Sequence, residues 1–101
     1  MYYKDLQNRI IWLDDVVNEI TAIPITKMIL NWNKEDEINN ISVEKRKPIK
    51  IFIYTVGGSV EEIFHIADII DLSKTPVYTY NMGIALSAGL DILISGHKRF
   101  A

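Results

Sequence analysis

The order of apolar and polar positions in the first half of the chain predicts a strand, a helix and a loop. The apolar run from Arg9 to Leu13 ends in two aspartates and predicts a short strand followed by a turn. From Val16 to Trp32 the apolar residues recur at helical spacing, so we predict a helix there. Pro24 either kinks that helix or belongs to its first turn. The polar stretch from Asn33 to Lys47 predicts a solvated loop, with a partner-docking segment as the alternative.

The middle of the chain predicts a buried strand followed directly by a helix. Residues Pro48 to Val56 are almost continuously apolar and rich in β-branched and aromatic side chains, which favours a central strand covered on both faces. The Gly57-Gly58 pair ends this strand. Ser59 and Glu62 have the spacing of a capping box, and the apolar periodicity behind them predicts a helix that ends near Leu72.

The last third of the chain repeats this alternation. We predict a strand over Val77 to Tyr80, a turn at Asn81 to Gly83, and a helix over Leu86 to Ser95 that Gly96 terminates. The final residues, Lys98 to Ala101, have the pattern of a further strand. Strands and helices that alternate in this way indicate an α/β fold with a parallel sheet, in which functional groups collect where strands end and helices begin.

Composition narrows the classes of protein to which the chain can belong. The chain has 101 residues, 49% of them apolar, which suits one globular domain. Lys and Arg number 11 and Asp and Glu 13, so the net charge of −2 gives no electrostatic reason to expect nucleic acid or an anionic membrane as a partner. The absence of cysteine excludes a disulfide scaffold, a thiolate metal site and a cysteine nucleophile. No signal peptide or membrane-span pattern is visible, and we therefore expect a cytoplasmic protein.

The glycine pair at 57 and 58 is the first candidate for chemistry. Glycines between a strand and a helix let the backbone approach a ligand closely and leave amide N–H groups free to hold a phosphate or an oxyanion. A tight connecting turn without any ligand is the alternative. A nucleotide-binding phosphate loop is excluded, because the Gly-Lys-Ser/Thr that such a loop needs is missing.

Ser87 is the second candidate, because it lies at a predicted helix start among small residues. The positive end of the helix dipole favours an oxygen that carries negative charge, but a serine that only caps or packs there is the alternative. A nucleophilic serine also needs a base. His65 lies in the middle of a predicted helix, where a packing or surface role is expected. His97 lies at the wrong end of a helix of roughly 14 Å to reach Ser87.

Three segments together resemble the proteolytic subunit of the ATP-dependent Clp protease. They are Arg9-Ile-Ile-Trp-Leu, Pro48-Ile-Lys-Ile-Phe-Ile-Tyr with Gly-Gly-Ser-Val, and Gly83-x-Ala-x-Ser-Ala-Gly with Ser-Gly-His-Lys-Arg. The resemblance implies a crotonase-like α/β fold of repeated β-β-α units and a Ser-His-Asp peptidase. It also implies self-association into rings, and an AAA+ unfoldase ATPase that feeds in unfolded polypeptide. ATP would be used by that partner, and the chain itself would need no cofactor and no metal.

The resemblance also assigns roles to individual residues. Ser87 matches the nucleophile, and the backbone amides of Gly58 and Ala88 match the oxyanion hole. Gly58, Ser59 and Val60 match the segment that pairs with an extended substrate as an added strand. The implied reaction is acyl transfer, in which Ser87 attacks the scissile carbonyl and water releases the acyl-enzyme.

Several residues depart from the family pattern. Val56 replaces the usual proline, Leu86 a small residue, and Ala88 the methionine after the nucleophile. The matching segments end before the family's histidine and aspartate, so we expect residues 1–101 to form one partial peptidase domain that is poorly stable and inactive alone. Two other hypotheses stay open. They are a non-catalytic ring subunit and an acyl-thioester enzyme on the same crotonase-like scaffold.

Overall fold

The computed structural model of the chain describes residues 2–5, 8–13, 18–55, 60–85 and 96–100. The elements of this part are strands β1 (Tyr2–Asp5) and β2 (Ile10–Leu13), helix α1 (Glu19–Ile38), a 3-10 turn (Val43–Lys45), strand β3 (Ile49–Thr55), helix α2 (Val60–Leu72), and strands β4 (Val77–Ala85) and β5 (Lys98–Phe100). The strands form one sheet in the order β1-β2-β3-β4-β5. Strand β1 is antiparallel to β2 and the other neighbours are parallel. The predicted α/β class is confirmed, whereas β1 was not predicted.

Both helices pack against the same face of the sheet. The parallel strands β2, β3 and β4 lie side by side in chain order. Crossover connections of the same handedness therefore place α1 and α2 on the same side of the sheet. The core on that side is formed by buried apolar residues of β2, α1, β3, α2 and β4: Ile11, Leu13, Ala22, Ile25, Met28, Ile29, Trp32, Ile49, Ile51, Ile53, Ile63, Ile66, Ile70 and Val77. The prediction that β3 is covered on both faces is wrong. Its isoleucines are buried, but Lys50 and Phe52, which point the other way, are only half-buried.

The face opposite the helices carries a row of aromatic side chains. Phe52 lies between Trp12 and Tyr80, with ring centroids 5.2 Å and 4.7 Å away. The ammonium of Lys98 lies 5.4 Å from the centre of the Tyr78 ring, within the range of a cation–π contact. Cross-strand contacts of this kind add to the stability of the sheet beyond its backbone hydrogen bonds.

Helix α1 is longer than the sequence pattern predicts. It begins after Asn18, whose side-chain oxygen accepts hydrogen bonds from the amides of Ile20 and Thr21 while the Thr21 hydroxyl accepts one from the Asn18 amide. The helix continues through Pro24 and ends at Ile38. The loop predicted from residue 33 is therefore wrong over its first six positions. The acidic residues there indicated a solvated segment, but one of them, Asp36, is buried.

Asp36 is buried because Arg9 neutralises it. The Asp36 side chain is 1% exposed and that of Arg9 is 9% exposed. Arg9 donates to both carboxylate oxygens and also to the carbonyl of Lys47, at 2.9 Å. The Thr75 hydroxyl donates a further hydrogen bond of 2.8 Å to Asp36. This network joins the start of β2, the end of α1, the segment before β3 and the α2–β4 connection.

Strand β4 continues through the turn predicted at Asn81 to Gly83. Asn81 pairs with Ile53, and the next recorded pair joins Ala85 to Thr55. Between these pairs β4 advances four residues while β3 advances two, so β4 contains two extra residues. The prediction of a turn is wrong because the Asn-Met-Gly sequence forms a bulge, which keeps the strand paired on both sides. Bulges are common beside active sites, where they redirect the chain.

The remaining predicted elements that fall within the described residues agree with the structure. The strand after Arg9, the strand over 49–55 and the helix that ends at Leu72 are confirmed. Strand β5 is parallel to β4, as the alternating pattern predicts. The helix predicted over Leu86 to Ser95 lies outside the described residues. Among the helices of the described part, neither is long and apolar enough to cross a membrane.

Candidate active site

The two segments that carry candidate chemistry leave the sheet next to each other. Thr55, the last residue of β3, pairs with Ala85, the last residue of β4. Neighbouring strands are about 4.8 Å apart. Gly57 follows Thr55 by two residues and Ser87 follows Ala85 by two, and each residue extends a chain by at most about 3.8 Å. The segments that contain the glycine pair and the serine therefore leave the sheet from neighbouring positions at its carboxyl edge.

Most of the predicted site residues lie outside the described part of the chain. These are Gly58, Ser59, Ser87 and Ala88. Val60 is the first residue of α2, in agreement with the predicted helix start. Convergence of the Gly58 and Ala88 amides on Ser87 thus stays a prediction, and the fixed points around it are the ends of β3 and β4 and the beginning of α2.

The amino end of α2, which carries the positive end of the helix dipole, lies at this edge of the sheet. The first four N–H groups of a helix have no partner within the helix, and the helix dipole makes this end positive. Glu61 and Glu62 lie in the first turn and complement that positive end. Glu62 also occupies the position that the capping box with Ser59 predicts. An oxyanion beside Val60 would therefore meet backbone N–H dipoles and two carboxylates that lie one residue or more further along the helix.

The chain returns to the sheet at the opposite edge. The His97 amide donates a 2.8 Å hydrogen bond to the carbonyl of Val77, the first residue of β4. The Val77 amide donates to His97 Nδ1 at 3.1 Å, and His97 Nε2 lies 2.9 Å from the carbonyl oxygen of Ile70. Since β4 has nine residues, His97 and the Ser87 edge are separated by about 20–25 Å. The position of His97 agrees with the expectation that it does not act as the base for Ser87, which stays a prediction because Ser87 lies outside the described residues.

The other histidine lies in helix α2. His65 is exposed on α2, as expected for a surface histidine. It borders a cavity of about 190 Å³ between the first halves of the two helices, together with Ala22, Ile23, Thr26 and Glu62. In the described ranges no group of three or more His, Asp or Glu side chains is placed to hold a metal ion.

The contacts of His97 and the bulge in β4 were missed by sequence reasoning. A histidine directly after a glycine at a predicted helix end has the pattern of an ordinary helix terminus, so nothing in the sequence signals a contact with Val77. The Asn81-Met-Gly sequence is a turn signal by composition, and only the pairing of Ala85 with Thr55 shows that the strand continues.

Comparisons with known proteins agree with this geometry. The sequence model of the Clp protease family matches residues 1–101. The ATP-dependent Clp protease proteolytic subunit 2 of Treponema pallidum is 32% identical over 97 residues, which are 96% of this chain and 45% of that protein. The chain thus spans about half the length of the curated relative it matches.

Solved structures share the fold. ClpP1 from Listeria monocytogenes superimposes with a TM-score of 0.75 at 28% identity, covering 90% of this chain and 48% of that one. The ClpP protease catalytic domain from Plasmodium falciparum gives a TM-score of 0.76 at 33% identity, covering 92% and 48%. The fold expected from the resemblance is therefore confirmed, and the chain belongs to the Clp protease family.

Proposed function

We propose that the chain forms part of a serine endopeptidase, a Clp protease proteolytic subunit, in which Ser87 is the nucleophile. The observation that carries the proposal is the pairing of Thr55 with Ala85 at the ends of two neighbouring parallel strands. Because of this pairing, the chain segments that lead to Gly57-Gly58 and to Ser87 leave the sheet at adjacent strand ends. An oxyanion hole built from Gly58 and Ala88 amides needs such closeness, because both donors must reach one oxygen within about 3 Å.

The proposed reaction is acyl transfer to serine. Ser87 Oγ attacks the scissile carbonyl carbon, and the carbonyl oxygen takes up negative charge that the Gly58 and Ala88 amides stabilise. The peptide C–N bond then breaks, the amine leaves with a proton, and water hydrolyses the resulting ester. Gly58, Ser59 and Val60 would pair with the extended substrate backbone. The position of Val60 at the first turn of α2 supports this role, since its N–H has no partner within the helix.

We propose that neither histidine of the described residues is the proton acceptor for Ser87. His97 lies at the opposite edge of the sheet and His65 is exposed on α2. Loss of a triad member reduces turnover by about 10⁴- to 10⁶-fold, so residues 1–101 by themselves should have no measurable peptidase activity. With a histidine and an orienting aspartate supplied, the same residues would form a complete site.

The family membership also supports proposals for partners and location. We assign to the whole protein self-association into rings, an AAA+ unfoldase ATPase as partner, unfolded polypeptide as substrate and a cytoplasmic location. The partner would hydrolyse the ATP. An acyl-thioester enzyme is less well supported, because the family match is to Clp proteases.

Labelling with a fluorophosphonate tests the proposal. The assembled protein that carries these residues is treated with the probe and digested, and the labelled serine is identified by mass spectrometry. We expect label on Ser87, none on the Ser87→Ala variant, and unchanged labelling of the Ser42→Ala variant, since Ser42 is exposed in the segment before β3. Absence of label on Ser87 in the assembled ring would contradict the proposal and favour a non-catalytic ring subunit.

A further inference from the structure

The apolar pattern of β3 does not by itself fix the alignment of this strand with its neighbours. Its core face carries three isoleucines in alternating positions, Ile49, Ile51 and Ile53. A slip of one residue would turn these side chains away from the helices, but a slip of two keeps their direction. After a two-residue slip towards the amino edge, two isoleucines would fill the sites of two others, and Thr55 would take the place of Ile53.

A slip in the opposite direction is opposed by the residues before β3. It would place Lys47 in the site of Ile49, which is fully buried. It would also place Pro48 where the Lys50 amide donates a 2.9 Å hydrogen bond to the Arg9 carbonyl, and proline has no N–H to donate. The slip towards the amino edge is therefore the alternative that the residues of the strand leave open.

A polar network at the amino edge ties the two neighbouring strands to helix α1. Arg9, one residue before β2, donates to both carboxylate oxygens of Asp36 at 2.8 Å. Thr75, two residues before β4, donates its hydroxyl hydrogen to the same carboxylate at 2.8 Å. Asp36 lies near the end of α1, and its side chain is almost completely buried. One buried charge thus holds the starts of both strands in place.

Arg46 connects the segment before β3 to this network. Its Nη1 donates to the Thr75 hydroxyl at 3.3 Å, and its Nε donates to the carbonyl of Ile41 at 2.9 Å. Its side chain is only 7% exposed, and its Nη2 lies 3.9 Å from a carboxylate oxygen of Glu37. The Thr75 hydroxyl gives its one hydrogen to Asp36, so it offers a lone pair to Arg46. One hydroxyl therefore joins the residues that precede β3 and β4.

From these contacts we propose that Arg46 is a register lock, which holds β3 in one of the two alignments that its isoleucines allow. A slip of two residues moves the strand by about 6.6 Å. Arg46 would then lose the Thr75 hydroxyl, and Pro48, whose ring carries no donor, would take its place. The inference goes beyond the proposed function and does not depend on which residue is the nucleophile.

The lock has a consequence at the carboxyl edge of the sheet, where Thr55 pairs with Ala85. The same slip would carry Thr55 about 6.6 Å along β4, so the ends of β3 and β4 would no longer lie side by side. A side chain at the amino edge therefore sets the alignment of the two strand ends from which the candidate segments leave the sheet.

A buried polar network does not have to add stability to fulfil this role. Replacement of a buried ion pair by apolar residues of similar volume is often neutral or stabilising. A single buried polar residue can nevertheless fix the register of a coiled coil at a cost in stability. The decisive measurement is therefore the alignment of the strands, and a change in stability alone does not decide between the two roles.

Engineered disulfides between β3 and β4 report this alignment, because the chain contains no cysteine. Residues opposite each other on neighbouring strands are about 4.8 Å apart, whereas residues offset by two positions are about 8 Å apart, beyond the reach of a disulfide. Lys50→Cys with Tyr78→Cys is the native pair. Phe52→Cys with Tyr78→Cys is the amino-slip pair, which closes only after the slip towards the amino edge. Lys50→Cys with Tyr80→Cys is the opposite-slip pair.

The three pairs are oxidised in the full protein that carries these residues. With the network intact, we expect the native pair to close and the two slip pairs to stay open. Arg46→Met should raise closure of the amino-slip pair about tenfold, because it removes hydrogen bonds from a charged group. Thr75→Val keeps the shape of the residue without its hydroxyl and should raise closure of the same pair. Lys45→Met is the matched control, since Lys45 is exposed one residue earlier, and it should leave all three pairs unchanged.

Four results would overturn the inference. Closure of the amino-slip pair with the network intact would show that the strand is not locked. Failure of the native pair to close in the same protein would show a different alignment. Unchanged closure in both Arg46→Met and Thr75→Val would show that other contacts set the register. An equal gain in both slip pairs would show loss of structure in place of a directed slip, so the lock requires a gain confined to the amino-slip pair.

Discussion

Arg9 and Asp36 form a buried two-pronged ion pair, in which two guanidinium nitrogens each donate a 2.8 Å hydrogen bond to a separate carboxylate oxygen. The partners are 27 positions apart in the chain and join the first residue before β2 to the last turns of α1. Hydrogen bonds between charged groups with this bidentate geometry are the stronger kind in proteins. The pair lies at the amino edge of the sheet, opposite the edge where β3 and β4 end.

Removal of the Asp36 charge should be strongly destabilising. In Asp36→Asn the Arg9 guanidinium stays buried and loses its counter-charge, which costs about 3 kcal/mol in the free energy of unfolding. Chemical denaturation monitored by tryptophan fluorescence measures the change. The control is Glu37→Gln, because Glu37 is exposed and its ion pair with Arg46 is long, at 3.9 Å. We expect this substitution to change the free energy of unfolding by less than about 0.5 kcal/mol. Equal effects of both substitutions would contradict the prediction.

The same pair should make stability depend on pH on the acid side. The hydrogen bonds from Arg9 hold the pKa of Asp36 below its usual value, with a further contribution from the Thr75 hydroxyl, and Asp36 in turn raises the pKa of Arg9. A carboxyl group with a lowered pKa in the folded state stabilises the fold fully above its unfolded pKa, near 4. That contribution is lost as the pH falls through the lower, folded value.

The measurement is the free energy of unfolding of wild type and Asp36→Asn between pH 7 and pH 3. The two curves should converge as the pH decreases, because protonation removes from the wild type what the variant already lacks. Arg9 stays charged across this range and does not contribute to the change. Parallel curves would show that Asp36 is not the titrating group.

A methyl group at position 96 should be tolerated poorly. In Gly96→Ala the new Cβ meets the β-branched side chain of Thr79, which is fully buried and cannot move aside cheaply, so we expect a loss of about 1–3 kcal/mol. Thr79→Ala alone should also destabilise, through a cavity and a lost hydroxyl. The double variant should lose less than the sum of the two single ones, since Thr79→Ala removes two of the three clashing atoms. Additive losses in thermal unfolding would contradict the predicted contact.

The cap of α1 should contribute measurably to stability. Asn18→Ala removes the acceptor for the amides of Ile20 and Thr21, and we expect a loss of about 1 kcal/mol in the free energy of unfolding. Asn31→Ala is the matched control, because Asn31 is exposed in the helix interior, where alanine is favourable. A neutral result at position 18 would mean that the hydrogen bonds of the cap add nothing in solution.

Local patterns predicted those elements whose burial follows apolar residues alone. Strand β3, with Ile49, Ile51 and Ile53 on its core face, and helix α2, with Ile63, Ile66 and Ile70, carry clear periodicities. The end of α1 was missed because its packing depends on a buried carboxylate that only a distant arginine neutralises. A pattern of apolar residues cannot show such long-range compensation.

The candidate site was predicted in a different way. The separate motifs around Gly58 and Ser87 are weak signals, and the resemblance to the Clp protease family gave them their roles. Neither the bulge in β4 nor the contacts of His97 could be predicted, since both depend on which strand residues pair across the sheet. The pairing of Thr55 with Ala85 supplies the one spatial relation that the sequence could only suggest.

The two extra residues in β4 also determine to which side of the sheet the side chains after them point. Side chains alternate between the two sides of a strand, so an insertion of one residue would invert the direction of everything after it, whereas an insertion of two preserves that direction. Deletion of one residue between Asn81 and Ala85 should turn the chain that leads to Ser87 towards the wrong side, and deletion of two should shorten the strand while keeping its facing.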